Sequence, residues 1–140
     1  MRWSEPPGLL AIGALAWLVS WAGSRWAIRH AQAHGLHDLP GARRSHAVPT
    51  PRGGGIGISA AGLAVLLLLA ASDDAPVAWL AMAAGLLLVA GVGWWDDHRD
   101  LPVIPRLVVH VAAALLLAAG WWLEGAGPLV ATAAFIAAVF

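Results

Sequence analysis

The chain has 140 residues, 60% of them hydrophobic and 11% charged, with a mean hydropathy of +0.75. A soluble domain spends about a quarter of its residues on charge, so this chain cannot cover its surface with polar side chains, and lipid is the expected solvent. Eight basic residues, all arginine, balance eight acidic ones, which argues against a nucleic-acid partner; with no cysteine, disulfides, thiolate metal sites and a cysteine nucleophile are excluded.

Four uncharged stretches follow one another: Pro6–Ser24, Gly53–Ser72, Ala75–Trp95 and Leu107–Leu123, of 19, 20, 21 and 17 residues. A helix needs roughly 20 apolar residues to cross a hydrocarbon core of ~30 Å, and backbone groups in lipid must bond within their own segment. The pattern predicts an all-α, polytopic membrane helix bundle with four full transmembrane helices, at about 6–28, 53–72, 76–95 and 105–123. The first is not a cleavable signal peptide, because Arg25 and Arg29 follow its apolar run and no A-x-A-like site ends it. After Glu124 the chain is again uncharged, and Pro128 is placed to open a helix. From there to Phe140 that helix would be about 20 Å long at ~1.5 Å per residue, a partial fifth span. The whole of 1–140 therefore reads as the N-terminal portion of one larger integral membrane domain.

Arginine placement sets orientation. The first loop, about 29–52, holds Arg29, Arg43, Arg44 and Arg52, and the third, about 96–106, holds Arg99 and Arg106. The turns at Asp73–Asp74 and at Glu124 hold no basic residue. Loops one and three are thus expected on the cytoplasmic side, with the N-terminus outside, and the two polar loops can meet. Trp94, Trp95, Trp121 and Trp122 stand at helix ends, where aromatic anchors sit.

Two stretches carry chemistry. In WWDDHRD, residues 94–100, Asp96 and Asp97 fall where the third helix leaves the membrane. Acids at a helix C-terminus oppose the dipole by roughly 0.3–1 kcal/mol each, and adjacent carboxylates repel. Removing either charge is therefore expected to leave the fold intact. A cation is expected to offset the clash: Arg99 in part, or Mg²⁺, which prefers one or two carboxylates together with substrate phosphates. Asp100 shares the face of Asp96 if the helix continues, although Pro102 soon ends it. A solvated acidic cap is the competing reading.

In SHAVPTPRGGGIGI, residues 45–58, three glycines at the start of an apolar helix are expected to form its first turn and expose unpaired N–H groups, an anion site. Arg52, with Arg43 and Arg44 nearby, adds fork-shaped donors suited to phosphate, and Pro49 and Pro51 hold the approach extended. A flexible turn whose arginines only enforce topology explains the arginines but not the glycines. The run from Gly55 to Ala60 matches a loose dinucleotide fingerprint by chance, since no strand precedes it. His30, His34, His37 and Asp38 have spacings that could ligate a metal, but Gly35 is expected to break their helix. His110, within the fourth span, reads as an interhelical hydrogen-bonder and, being ionisable in a membrane, as a functional candidate.

Together Asp38, Pro40, Arg43, Arg44, His46, Pro49-Thr50-Pro51-Arg52 and Gly54-Gly55 resemble the first cytoplasmic loop of polyprenyl-phosphate N-acetylhexosamine-1-phosphate transferases (glycosyltransferase family 4). Asp96-Asp97 is similar to that family's paired aspartates after the third helix. The resemblance covers nearly the whole chain in order, spacing and topology. It implies a Mg²⁺-dependent transfer of N-acetylhexosamine 1-phosphate from a UDP-sugar to a polyprenyl phosphate in the bacterial inner membrane, beginning O-antigen, teichoic-acid or related glycan synthesis. It further implies that Asp96 contacts or deprotonates the lipid phosphate and that Asp97 lies by the metal. The phosphate site would be shaped by Arg43, Arg44, His46, Thr50, Arg52, Gly53, Gly54 and Gly55. The muramoyl-pentapeptide branch usually carries methionine where Arg52 stands, so the chain is similar to the free-sugar branch. Such an enzyme can also be a homo-oligomer. The family has about ten membrane helices and further catalytic motifs in later loops, so residues 1–140 alone are not expected to turn over. The rival class is a non-enzymatic membrane module, such as a transporter fragment or a lipid-phosphate-binding subunit. A transporter would carry charges at mid-membrane, where here only His110 lies.

Overall fold

The structure is a computed structural model and describes residues 6–40, 48–72, 76–125, 127, 130 and 133. Among the described residues the helices are α1 (Pro6–His34), α2 (Gly55–Ala70), α3 (Pro76–His98) and α4 (Val103–Leu123), with two short strands, β1 (His37–Asp38) and β2 (Thr50–Pro51), between α1 and α2. Three of the helices, α1, α3 and α4, are long and apolar enough to cross a membrane. This corrects the expected four full spans. Helix α2 has 16 residues, about 24 Å at ~1.5 Å per residue, short of a ~30 Å core. Its apolar stretch is longer than its helix because both ends turn away. Gly53 takes φ +88° before the helix begins, and the Ala71 and Ser72 amides fold back onto the Leu67 and Leu69 carbonyls after it. The expected partial fifth span lies mostly outside the described residues.

Helix α1 runs past the expected boundary at 28. Prolines 6 and 7 suit its first turn, where an N–H has no helical acceptor. Nothing from Arg29 to His34 disfavours helix, and it stops only at Gly35. There φ is +68° and the Leu36 N–H donates to the Ala31 carbonyl at 2.9 Å, the glycine-terminated close of a helix. Likewise α3 carries Asp96 and Asp97 inside its last turn rather than beyond it.

The packing is inverted relative to a soluble bundle. Among the described residues the buried apolar ones are seven alanines and Val92, while large side chains such as Leu10, Leu18, Ile104 and Leu123 stand outward. Water would not tolerate that exterior; hydrocarbon would. Without a hydrophobic drive between helices, association in lipid relies on close van der Waals approach of small residues. The α1–α2 contact is the clearest case: a Cβ at Gly57 would lie 2.5 Å from the Ser20 carbonyl oxygen, and one at Gly23 would lie 2.8 Å from the Gly57 Cα. At the α3–α4 contact a Cβ on Gly120 would lie 2.5 Å from the Ala81 Cβ.

Consecutive helices pack on one another, so α1 to α4 form an up-and-down array. The α3–α4 pair is closed at one end by Glu124, whose Oε1 accepts the Val77 N–H at 2.9 Å and the Ala78 N–H at 3.4 Å. That carboxylate fills the place of a helix cap on α3, where first-turn amides have no helical partner. At the other end the α1–α2 connection and the α3–α4 turn lie side by side.

Candidate functional site

The α1–α2 connection meets α3 through its two short strands and the residues that follow them. Strands β1 and β2 pair antiparallel, His37 against Pro51 and Asp38 against Thr50, and the Arg52 N–H donates to the Leu36 carbonyl at 3.0 Å. The extended backbone that Pro49 and Pro51 favour is thus stitched to the end of α1. This fixes Arg52 and Gly53 above the last turn of α3. The two polar loops do meet: Arg52 Nη1 lies 3.7 Å from Asp100 Oδ1, and a Cβ on Gly53 would stand 3.9 Å from Asp97 Oδ2.

Between them is an open cleft of about 590 Å³, lined by Asp38, Thr50, Arg52, Gly53 and Gly54 from one loop and by Asp96, Asp97, Asp100, Leu101 and Arg106 from the other. Its charges are organised. Arg52 leans on Asp38, Nη2 to Oδ1 at 3.4 Å, and reaches toward Asp100. Asp96 accepts the Leu101 N–H at 2.9 Å through Oδ1 and Arg106 Nη1 at 3.0 Å through Oδ2. Asp97 has no hydrogen-bond or ion-pair partner among the described residues. Among the described residues, the cleft lining holds four carboxylates and two guanidinium groups.

The expected phosphate cradle takes a different form from three glycines in a helical first turn. Gly53 is left-handed, Gly54 is the cap residue of α2, and only Gly55 is helical; no side chain caps this end. The Ile56 N–H of the first turn donates to the Gly53 carbonyl at 3.2 Å, so only part of that turn keeps amides without acceptors, and Gly53, at φ +88°, is the residue that could not be replaced without strain. Thr50, Arg52, Gly53 and Gly54 line the cleft, and Gly55 lies just behind it with Asp97 in an adjoining hollow. Arg43, Arg44 and His46 lie outside the described residues.

Arg106, not Arg99, offsets Asp96, and the carboxylate also closes the α3–α4 turn. Asp96 thus has a part in the fold that the adjacency of two acids does not reveal. An arginine in the first turn of α4, ten residues on and across Pro102, was the available signal.

The histidines are arranged differently from their sequence spacing. His37 and Asp38 form β1, while His30 and His34 stay on α1 with rings 4.1 Å apart. His30 Nε2 meets His98 Nε2 of α3 at 3.2 Å, and Trp26 packs on Trp94 at 5.7 Å beside them. His98 Nδ1 lies 2.8 Å from the Trp94 carbonyl oxygen and so carries a proton, which leaves its Nε2 to accept from His30 when both rings are neutral. No group of three metal-ligating side chains occurs among the described residues. His110 is not interhelical: its Nδ1 donates to the Arg106 carbonyl of its own helix at 2.7 Å.

In the cleft lining, Asp97 is an oxygen donor without a partner among the described residues. No known protein family, curated protein or solved structure matches this chain.

Proposed function

We propose that this cleft serves a transferase that moves N-acetylhexosamine 1-phosphate from a UDP-sugar to a polyprenyl phosphate, at the cytoplasmic face of a bacterial inner membrane. The observation that carries the reading is the meeting of Arg52 and Gly53 with the unpartnered Asp97 at one end of a lipid-suited bundle. That is where the phosphate of a membrane lipid and a soluble nucleotide sugar would encounter each other. The excess of arginine in these two loops supports the orientation, with the N-terminus outside.

The reaction joins a lipid-phosphate oxygen to the β-phosphorus of the UDP-sugar; the bond from that phosphorus to the bridging oxygen breaks, and UMP leaves with it. Such transfers depend on positioning and charge neutralisation more than on covalent chemistry. A Mg²⁺ ion bound with the diphosphate would neutralise part of its charge. Asp97 holds that end of the substrate from the α3 side. The glycine amides at the start of α2 and the Arg52 fork receive phosphate oxygens from the other side, with Arg52 exchanging its long contacts to Asp38 and Asp100 for phosphate. Asp96, next to Asp97 and held by the Leu101 N–H and Arg106, would take the proton of the lipid phosphate.

The test is transfer by membranes carrying the complete gene product, supplied with labelled UDP-N-acetylglucosamine or UDP-N-acetylgalactosamine, undecaprenyl phosphate and Mg²⁺. Lipid-extractable label and stoichiometric UMP are expected. Asp97→Asn should reduce turnover about a hundredfold or more. Arg52→Lys, which keeps charge but loses the fork, should raise KM severalfold. Absence of lipid-linked sugar with every UDP-N-acetylhexosamine would overturn the reading, as would an Asp97→Asn enzyme of parental activity.

A further inference from the structure

Helices α1 and α3 each pack chiefly on α2, yet at the polar end of the bundle they touch through their rings. His30 Nε2 of α1 meets His98 Nε2 of α3 at 3.2 Å, outside the lining of the cleft. Two nitrogens at that separation either share one proton or hold one ion. Zinc takes imidazole nitrogens at about 2.0–2.1 Å, which at a tetrahedral angle sets two of them about 3.3–3.4 Å apart. The pair stands within about 0.2 Å of that bite. Ring orientation separates these two histidines from the third. An imidazole lone pair lies in the ring plane, so an ion must lie close to the plane of every ring that binds it. The His30 and His98 rings are inclined at 50°, and their planes cross. His34 stacks on His30 at 4.1 Å and 28°, and rings so nearly parallel do not aim at a common point. Its position four residues along α1 marks it as the partner of His30 in sequence; the fold supplies His98 instead.

We propose that His30 and His98 form a two-histidine site for a divalent ion of the zinc, copper or nickel class, which ties α1 to α3, with water completing its coordination. His98 already has the form of a ligand. Its Nδ1–H donates to the Trp94 carbonyl at 2.8 Å, the kind of bond that fixes the tautomer of a metal-bound histidine and leaves Nε2 for the ion. His30 takes the same form by passing its proton from Nε2 to Nδ1 through water, with no net change in charge. Both rings are braced for this: His30 stacks on Trp26 at 5.0 Å, His98 lies against Trp94 at 4.2 Å, and the two indoles stack on each other at 5.7 Å. Imidazole selects these ions, whereas carboxylate and water select Mg²⁺. The site is therefore chemically separate from the cleft and independent of the transferase reading.

The complete gene product, purified in detergent without a histidine tag, is titrated with Zn²⁺ against a chromophoric chelator at about pH 7.5, where ordinary imidazoles are neutral. Mg²⁺ is present in excess, and neither UDP-sugar nor lipid phosphate is added. Saturable Zn²⁺ binding is expected, with a melting temperature that climbs with Zn²⁺ concentration because the site is lost on unfolding. His30→Gln and His98→Gln should each weaken binding about tenfold or more and remove most of that rise, while melting like the parent when no Zn²⁺ is present. His34→Gln should bind as the parent does. Weakening by His34→Gln but not by His98→Gln would place the ion on α1 alone and overturn the proposal. Binding unchanged by His30→Gln would overturn it too, as would displacement of Zn²⁺ by Mg²⁺. A readout on the parent needs no variant: one equivalent of Cu²⁺ in place of Zn²⁺ should show two imidazole nitrogens by pulsed electron paramagnetic resonance, and one or none would overturn the site. Sugar transfer plays no part in these measurements, so a missing zinc site leaves the transferase reading standing, and a failed transfer assay leaves the zinc site standing.

Discussion

Adjacent acids in one helical turn should behave oppositely when removed. Asp96 holds the α3–α4 turn through the Leu101 amide at 2.9 Å and Arg106 at 3.0 Å. Its side chain is 30% exposed and that of Arg106 41%, so the ion pair belongs with solvent-screened pairs of about 0.2–1 kcal/mol, not with buried ones. The hydrogen bond from an amide to a charged carboxylate adds about 1.5 kcal/mol. Against these stands relief of the helix dipole, about 0.3–1 kcal/mol, which both aspartates share, and a helix-propensity gain on mutation to alanine of about 0.5 kcal/mol, also shared. Shared terms cancel in the comparison. Asp96→Ala should therefore be less stable than Asp97→Ala by about 2 kcal/mol, with Asp97→Ala at or above the parent. Reversible unfolding in mixed micelles without divalent cations measures both. A double-mutant cycle with Arg106→Gln should return a coupling of about 0.5–1 kcal/mol for Asp96 and none for Asp97. Equal stabilities of the two alanine variants, or coupling of Arg106 to Asp97, would refute the assignment of partners.

Gly57→Ala should loosen the α1–α2 contact by about 1–3 kcal/mol, since its Cβ meets backbone that cannot yield cheaply; Gly13→Ala, which meets nothing, should not, and unfolding of the two variants side by side decides. Glu124→Ala should cost about 1 kcal/mol through the uncapped start of α3, read as a lower melting temperature. Single cysteines at the exposed positions Val48 and Ser72 should react with an impermeant thiol reagent from opposite sides of oriented vesicles. Labelling from one side only would contradict the arginine-based orientation.

Much of the bundle was legible because lipid imposes a simple rule: long uncharged runs become helices, and α1, α3 and α4 fall within a few residues of where that rule places them. The rule reads hydropathy, not backbone direction, and so it overextended the second run. Gly53 counts as apolar but turns left-handed, and the helix starts two residues later. It also ended the first helix at its arginines, although charge does not stop a helix and Gly35 does. In the site, the meeting of the two polar loops followed from parity and arginine count. The pairing within it did not, because Arg106 with Asp96, Arg52 with Asp38 and His30 with His98 depend on how far α3 extends and how α4 is hung from it. The cap that Glu124 supplies to α3, 47 residues away in sequence, has no local signature at all.

The α3–α4 pair is fastened at both ends, by Glu124 at the start of α3 and by Asp96 at its finish. Sliding one helix along the other would have to strip both fastenings together, so shear is suppressed and the pair moves as a single stiff lever. The Arg52–Asp100 contact that crosses to the other half is long, at 3.7 Å, and its aspartate is 98% exposed. The His30–His98 contact at 3.2 Å and the Trp26–Trp94 stack at 5.7 Å cross the same seam, so a tilt of the lever against α1 and α2 would strain those ring contacts before it disturbed the packing inside either half.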